Sequence, residues 1–221
     1  MLKNRILELK EKLMEMASLV ETMLENSKRG LVEKKKELLL EIIEKKEPVV
    51  NSLEIEIDEF CTELIALYQP KASDLRIILT VLKINNDLER IGDHAENISQ
   101  SALFLIERPQ IKPLIDIPRM ADETIQMIKD SITAFLQKDT ALASSVLVRD
   151  DIVDNLRDQI IRELITYMAS DPTTIERALE LIRIAHNLER AADLATNLSE
   201  DVIFMVEGKI VKHGFDGTEN E

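Results

Sequence analysis

The sequence predicts an all-α protein built from two tandem, homologous three-helix bundles. Its 221 residues include no Trp, five Gly, six Pro and 3% aromatic residues, and Leu, Ile, Glu and Lys dominate, which favours helices. Apolar residues recur in alternating steps of three and four, the spacing of a helix with one buried face. The segment LERIGDHAENIS at 88–99 returns as LERAADLATNLS at 188–199, with seven of twelve positions identical. This constant offset indicates a duplicated domain.

Helix-breaking segments divide the chain into six long helices. Turn signals occur at NSKRG (26–30), QPKASD (69–74), QKDT (137–140) and SDPTT (170–174). In the last of these, Asp171 is a suitable helix N-cap and Pro172 suits the first helical position. The predicted helices span residues 2–27, 31–68, 74–107, 117–137, 140–168 and 173–212. Because the turns are short, neighbouring helices should run antiparallel.

Three helices on each side of a proline-rich linker can close a small apolar core. Leu88 in the third helix and Leu188 in the sixth belong to the apolar stripes that would face it. We therefore predict a first bundle at 1–107, the linker at 108–116, a second bundle at 117–212 and a flexible tail at 213–221. Pro48 lies inside the predicted second helix and lacks an amide hydrogen, so we expect a kink or break just before it.

Charge and cysteine content limit the function and the compartment. The net charge of −14 would repel a phosphate backbone, so we expect no nucleic-acid partner. Cys61, the one cysteine, cannot form an internal disulfide, and its position beside Phe60 predicts a buried apolar role. The N-terminus carries charges in every turn, and the apolar stretches fall far short of the roughly 18 residues of a membrane span. We therefore expect a cytoplasmic protein that reaches a membrane only through protein partners.

The repeat carries carboxylates four residues apart, on a face turned away from the apolar stripe. Glu89 and Asp93 have this spacing in the third helix, and Glu189 and Asp193 repeat it in the sixth. The second and fifth helices carry their own versions, which comprise Glu47, Asn51, Glu54 and Asp58 and, in the second half, Asp150, Asp154 and Asp158. Like charges one turn apart repel each other, and a bound cation would remove that repulsion. Oxygen ligands with few histidines suit Mg²⁺, Mn²⁺, Fe or Zn²⁺.

Two other interpretations of these acidic stripes remain open. In a metal-free helical scaffold, Arg90 with Asp93 and Arg190 with Asp193 would form exposed pairs worth about 0.2–0.5 kcal/mol each. A di-iron carboxylate enzyme would need inward-facing acids and Glu-x-x-His pairs, and the sequence contains no such pair. Further candidate ligands beside the acids are Asn97, Asn197 and His186.

These residues closely resemble the PhoU family of phosphate-transport regulatory proteins. The resemblance covers nearly the whole chain and is strongest in ALYQPKASDLRIILTVLKINNDLERIGDHAENI at 66–98. It implies two three-helix bundles with E/DxxxD motifs on two neighbouring helices of each, which in some members bind clusters of iron or zinc. Carried over by position, the motifs fall on Glu89 with Asp93, Glu189 with Asp193, Asp150 with Asp154, and Glu47 with Asn51. Because Asn51 brings no charge, we expect the first half to hold metal more weakly.

The resemblance implies a regulator and not an enzyme. PhoU proteins couple the Pst phosphate ABC transporter to a membrane sensor histidine kinase and repress the phosphate-starvation response when phosphate is plentiful. The expected partners are therefore the transporter ATPase and the kinase, and the family resemblance also makes a homodimer an expectation. We expect no catalytic residues and no organic cofactor, with divalent or trivalent metal ions as the cofactors.

Overall fold

A computed structural model describes residues 2–208, which form helices and no strand. The helices are α1 (Leu2–Glu33), α2 (Lys36–Glu41), α3 (Glu47–Tyr68), α4 (Ser73–Ile106), α5 (Asp116–Gln137), α6 (Thr140–Ser170) and α7 (Ile175–Glu207). A π-turn joins α2 to α3, so residues 2–208 contain six long helices, as predicted. Within this range, no helix has an apolar stretch sufficient to span a lipid bilayer. The predicted tail and the predicted end of the sixth helix at residue 212 lie outside the described residues.

The first turn lies later in the chain than predicted. Helix α1 continues through the expected turn at 26–30, and the chain reverses at Lys34, whose φ of 55° is left-handed. Gly30 is buried within α1, where an added Cβ would come within 2.4 Å of Leu39 Cδ2. The prediction was wrong because this glycine permits the close approach of α2 and does not end a helix.

The irregularity expected before Pro48 takes the form of a π-turn. Residues Ile42–Lys46 adopt this wider turn, in which each hydrogen bond spans one more residue than in an α-helix. Pro48 then lies in the first turn of α3, where the absence of its amide hydrogen costs little. The helix is therefore locally rewound and not broken, and the residues that follow Pro48 keep a regular face towards α4.

The two bundles share one continuous apolar core. Helices α1, α3 and α4 pack together in the first bundle and α5, α6 and α7 in the second, while α4 packs along α7 and α1 along α5. Lys83 Nζ lies 2.6 Å from Asp201 Oδ1, and His94 Nδ1 lies 3.0 Å from Asn187 Oδ1, so α4 and α7 run antiparallel. This packing places the two copies of the repeated segment side by side at the centre of the molecule.

Candidate metal centre

The first cluster consists of Glu47 and Asn51 on α3 and Glu89, Asp93 and Glu96 on α4. Leu88 and Ile91 of α4 are fully buried. The helical phase therefore places Glu89, Asp93 and Glu96 beside the crevice between α4 and α3. Gly92 keeps this crevice narrow, because an added Cβ would lie 3.2 Å from Val50 Cγ1. All five side chains of the first cluster are consequently partly buried between the two helices.

Three carboxylates of the first cluster lie close enough to share one ion. Ligand oxygens of Glu47, Asp93 and Glu96 all lie within 4.8 Å of one another. Oxygen ligands of this kind, brought together from two helices, fit a hard or borderline divalent cation. The sequence-based prediction omitted Glu96, which follows Asp93 by three residues whereas the motif spacing is four. A search for acids at either helical spacing would have included it.

Asn51 contacts a carboxylate of the first cluster through its amide nitrogen. Its Nδ2 donates a hydrogen bond to Glu47 Oε1 at a distance of 2.5 Å. Such a bond orients the carboxylate, and outer partners of this kind support metal ligands in many proteins. Asn51 therefore positions Glu47 in this arrangement, while a ligand role for its own amide oxygen stays a prediction.

Negative charge accumulates in the first cluster without a balancing ion pair. Burial raises the pKa of Glu89, and neighbouring carboxylates, Asp93 foremost, raise it further, whereas Arg90 lowers it. The surface-pair interpretation placed Arg90 beside Asp93, but its Nη1 lies 3.6 Å from Asp87 Oδ1 instead. Within residues 2–208, no ion pair involves a carboxylate of the first cluster. The repulsion that a cation would relieve is therefore present here.

The second cluster consists of Asp150, Asp154 and Arg157 on α6 and Glu189 and Asp193 on α7. Arg157 Nη1 lies 2.6 Å from Glu189 Oε1 and 3.0 Å from Asp154 Oδ1, so the guanidinium bridges the two helices. The described residues contain no second group of three metal-type ligands like that of the first cluster. Sequence reasoning missed Arg157, although it follows Asp154 by three residues and so shares its helix face.

Negative charge persists around Asp193 despite this arginine. Burial, followed by the charges of Glu189, Asp150 and Asp154, raises the pKa of Asp193 to about 6, against the opposing effect of Arg157. The Asp193 residue as a whole is exposed, and repulsion by the neighbouring carboxylates acts alongside the partial burial of its carboxyl group. Burial likewise raises the pKa of Asp150, with Asp154 as the next cause.

A polar groove between α4 and α7 connects the two clusters. Its lining includes Arg90, Asp93 and Asn97 from α4 and their repeat counterparts Arg190, Asp193 and Asn197 from α7. Asn97 and Asn197 thus lie in this groove, and His186 is exposed on α7, while ligand roles for all three stay predictions. Because Asp93 and Asp193 belong both to the groove and to a cluster, the clusters and the groove form one continuous polar surface.

His94 lies inside this groove and is half-buried. Its Nδ1 lies 3.0 Å from Asn187 Oδ1, across the α4–α7 contact. Burial lowers the pKa of His94; the bond to Asn187 raises it, and the charges of Arg190 and Arg90 lower it again. The imidazole is therefore disposed to be neutral near pH 7.

Similarity to known proteins follows the whole length of this fold. The model of the PhoU domain matches residues 13–102 and, a second time, residues 117–202. The chain belongs to the PhoU family. Each match contains one copy of the repeated segment, and together the matches confirm the family that the motif residues indicated. The predicted all-α architecture is confirmed with it.

Named PhoU proteins resemble this chain in both sequence and structure. The phosphate-specific transport system accessory protein PhoU homologue of Aquifex aeolicus (strain VF5) is 44% identical over 206 residues, covering 93% of each chain. The homologue of Pseudomonas putida is 37% identical over 207 residues, covering 93% of this chain and 80% of that protein. The crystal structure of PhoU from Pseudomonas aeruginosa matches with a TM-score of 0.90 at 33% identity, covering 95% of this chain and 100% of that chain. The phosphate transport system regulatory protein PhoU from Streptococcus pneumoniae gives 0.88 at 25% identity, with 96% and 100% coverage.

Proposed function

We propose that this PhoU-family chain is an accessory, regulatory protein of a phosphate-specific transport system. The observation that carries the proposal is the double PhoU-domain match, together with 44% identity to a PhoU homologue across 93% of each chain. In this role the chain acts in the cytoplasm and contacts the ATPase of a phosphate ABC transporter and a sensor histidine kinase. It represses the phosphate-starvation response when phosphate is plentiful, and it reaches the membrane through these partners. A homodimer is part of the same proposal.

The continuous polar surface supports docking of such partners. It combines two carboxylate clusters with a groove that contains Arg90 and Arg190, so charges of both signs are presented over a wide area. Complementary charges across an interface set its specificity and its association rate more than its total affinity. With a net charge of −14, the chain favours partner surfaces that are basic. Asp93 and Asp193, which the clusters and the groove share, are the central residues of this docking surface.

Metal binding in the first cluster forms the second part of the proposal. Glu47 would hold the ion from α3, and Asp93 and Glu96 would hold it from α4, since their oxygens already converge within 4.8 Å. The ion would supply the positive charge that offsets carboxylate repulsion and would fix the two helices relative to each other. Asn51 would keep Glu47 in the ligating orientation through its hydrogen bond.

The cysteine, the histidines and the arrangement of the carboxylates favour regulation by binding over catalysis. Burial and the nearby Asp58 raise the pKa of the Cys61 thiol to about 12, so the one cysteine of the chain stays protonated at neutral pH. No Glu-x-x-His pair, the usual companion of a di-iron site in a helical bundle, occurs in the sequence. The carboxylates that converge are distributed along an accessible surface and not around an enclosed substrate cavity.

Binding to purified partners tests the regulatory proposal. The ATPase subunit and the cytoplasmic part of the kinase from the same genome would be titrated with the full chain at high and at low phosphate. Wild type should bind at least one of them with phosphate-dependent affinity, and Asp93→Asn/Asp193→Asn should weaken that binding about tenfold. The matched control, Glu56→Gln/Glu59→Gln, removes the same charge from an exposed part of α3 outside both clusters. No binding to either protein at any phosphate concentration would refute the proposal.

A cellular assay tests the direction of regulation independently. Deleting the gene should switch on a phosphate-starvation reporter even in phosphate-rich medium, and the wild-type gene should restore repression. The control variant should restore repression as well as wild type does. A reporter that stays repressed after deletion would refute a negative regulatory role, whatever the binding data show.

A further inference from the structure

We infer that Arg157 is a built-in counter-ion that competes with metal in the second cluster, so that metal binds preferentially to the first cluster. The inference rests on the proposed metal role of the first cluster and deepens it. It also reverses the order expected from sequence, in which the uncharged Asn51 made the first half the weaker site.

The position of the guanidinium carries this inference. Arg157 Nη1 contacts Asp154 of α6 and Glu189 of α7, one carboxylate from each motif of the second half, while Nη2 lies 3.0 Å from Asp158 Oδ1. Its side chain is 21% exposed, so these ion pairs are partly shielded from water. An arriving ion would either displace the guanidinium or bind through Asp150 and Asp193 alone, whereas three carboxylates converge in the first cluster.

The repeat supplies an internal comparison at the equivalent position. Arg157 follows the second motif residue of α6, Asp154, by three residues, and Glu54 follows the second motif residue of α3, Asn51, by three residues. The two halves therefore carry opposite charges at the same point of the same motif. Glu54 adds negative charge near Glu89, whereas Arg157 Nη1 lies 2.6 Å from Glu189 Oε1 and adds positive charge to the second cluster. The crevice between α3 and α4 thus carries excess negative charge, whereas the crevice between α6 and α7 already contains the guanidinium cation of Arg157.

Equilibrium titration of the full chain with Mn²⁺ tests the competition, with free Mn²⁺ followed by electron paramagnetic resonance. Wild type should show one tight site, and Arg157→Gln should add a second, with an apparent Kd roughly tenfold to a hundredfold below that of wild type at this cluster. Arg157→Lys keeps the positive charge and should leave the second site weak. Arg162→Gln, which removes an exposed arginine of the same helix, should behave as wild type.

A second set of variants assigns the sites and separates this inference from the proposed metal role. Glu47→Gln/Asp93→Asn/Glu96→Gln should abolish the tight site, and Arg157→Gln added to that variant should restore binding at the second cluster. The reciprocal change Glu54→Arg should weaken the first site in an otherwise wild-type chain.

Each outcome of these titrations bears on one of the two claims. Unchanged Mn²⁺ binding in Arg157→Gln, or loss of the wild-type tight site in Asp150→Asn/Asp154→Asn, would overturn the competition. If wild type bound no Mn²⁺ but Arg157→Gln did, the metal role of the first cluster would fail while the competition would stand. Circular dichroism establishes whether each variant is folded. If the Arg157 variants do not fold, Mn²⁺ binding by Glu54→Arg tests the competition, and unchanged binding at the first site would overturn it.

Discussion

Replacing Asp193 by Asn should stabilise the metal-free protein at neutral pH and leave its stability unchanged at acidic pH. Burial, followed by the charges of Glu189, Asp150 and Asp154, raises the pKa of Asp193 to about 6, against the opposing effect of Arg157. The unfolded chain lacks these neighbours, so its carboxyl titrates near the ordinary value of 3.8. The folded state binds the proton of the Asp193 carboxyl group more tightly than the unfolded state does. The stability that this protonation contributes is therefore complete below about pH 4 and is lost as the pH rises through about 6.

The magnitude of the effect follows from this difference in pKa. A carboxyl pKa raised from 3.8 to about 6 would lower the free energy of unfolding by about 3 kcal/mol at neutral pH without screening. Because Asp193 is exposed, water and salt screen the repulsion, and we expect about 1 kcal/mol. Asn has nearly the same shape and stays neutral, so Asp193→Asn should exceed wild type in stability by that amount near pH 7 and equal it near pH 4.

Urea unfolding followed by circular dichroism measures both values, in a chelator and at low ionic strength. Added salt should shrink the difference near neutral pH, because the repulsion is between partly solvated charges. Glu15→Gln, at an exposed acid of α1 outside both clusters, should change stability by less than about 0.5 kcal/mol at either pH. A variant less stable than wild type near pH 7, or a difference that is the same at both pH values, would refute the electrostatic reasoning.

Three further predictions concern packing, a buried lysine and a histidine. Gly30→Ala should destabilise the protein by about 1 kcal/mol in urea unfolding, because overlap with Leu39 outweighs the gain in helix propensity, and a more stable variant would contradict the packing argument. Lys112→Ala should cost about 1–3 kcal/mol, since it leaves Glu163 without the lysine whose side chain is only 5% exposed, and an unchanged midpoint would contradict that role. His94 should titrate below 6.5 by NMR, so that its contribution to stability is complete above that pH and falls below it; a midpoint above 6.5 would contradict its burial.

Turn chemistry and apolar periodicity account for most of the fold. Asp171 is the cap that its position predicted, since its carboxylate accepts a hydrogen bond from the Thr173 amide at 2.9 Å. Gly30 shows where local rules end, because a glycine can terminate a helix or let a second helix approach it. Only the position of Leu39, in a segment whose packing no local pattern specifies, decides between these roles.

Helical phase also predicted the crevices of the candidate site but not the side-chain partners within them. Glu47 and Asp93 converge as the motif spacing suggests, because both follow the buried stripes of neighbouring helices. Glu96 joins them through a spacing of three, which a search for the motif alone does not include. Asn51 illustrates a further limit, since an amide can turn either its oxygen or its nitrogen towards a carboxylate, and the sequence does not say which.

The contrast between Glu54 and Arg157 is the reason why our proposal ranks the two halves in the opposite order to the motif residues alone. By motif, the second half has the more acidic pair, Asp150 with Asp154, and the first half the less acidic one. Three residues further along the same helix face, the order reverses, because an acid there adds repulsion while an arginine forms ion pairs across the crevice. Duplication alone would give two equal sites, whereas the charge at this position helps to make the halves electrostatically different on either side of the α4–α7 groove. A partner that binds across the groove would therefore contact a cation-binding crevice on one side and, on the other, a crevice whose acids are already paired with Arg157. The two sides of this pseudo-symmetric molecule would thus differ for the partner.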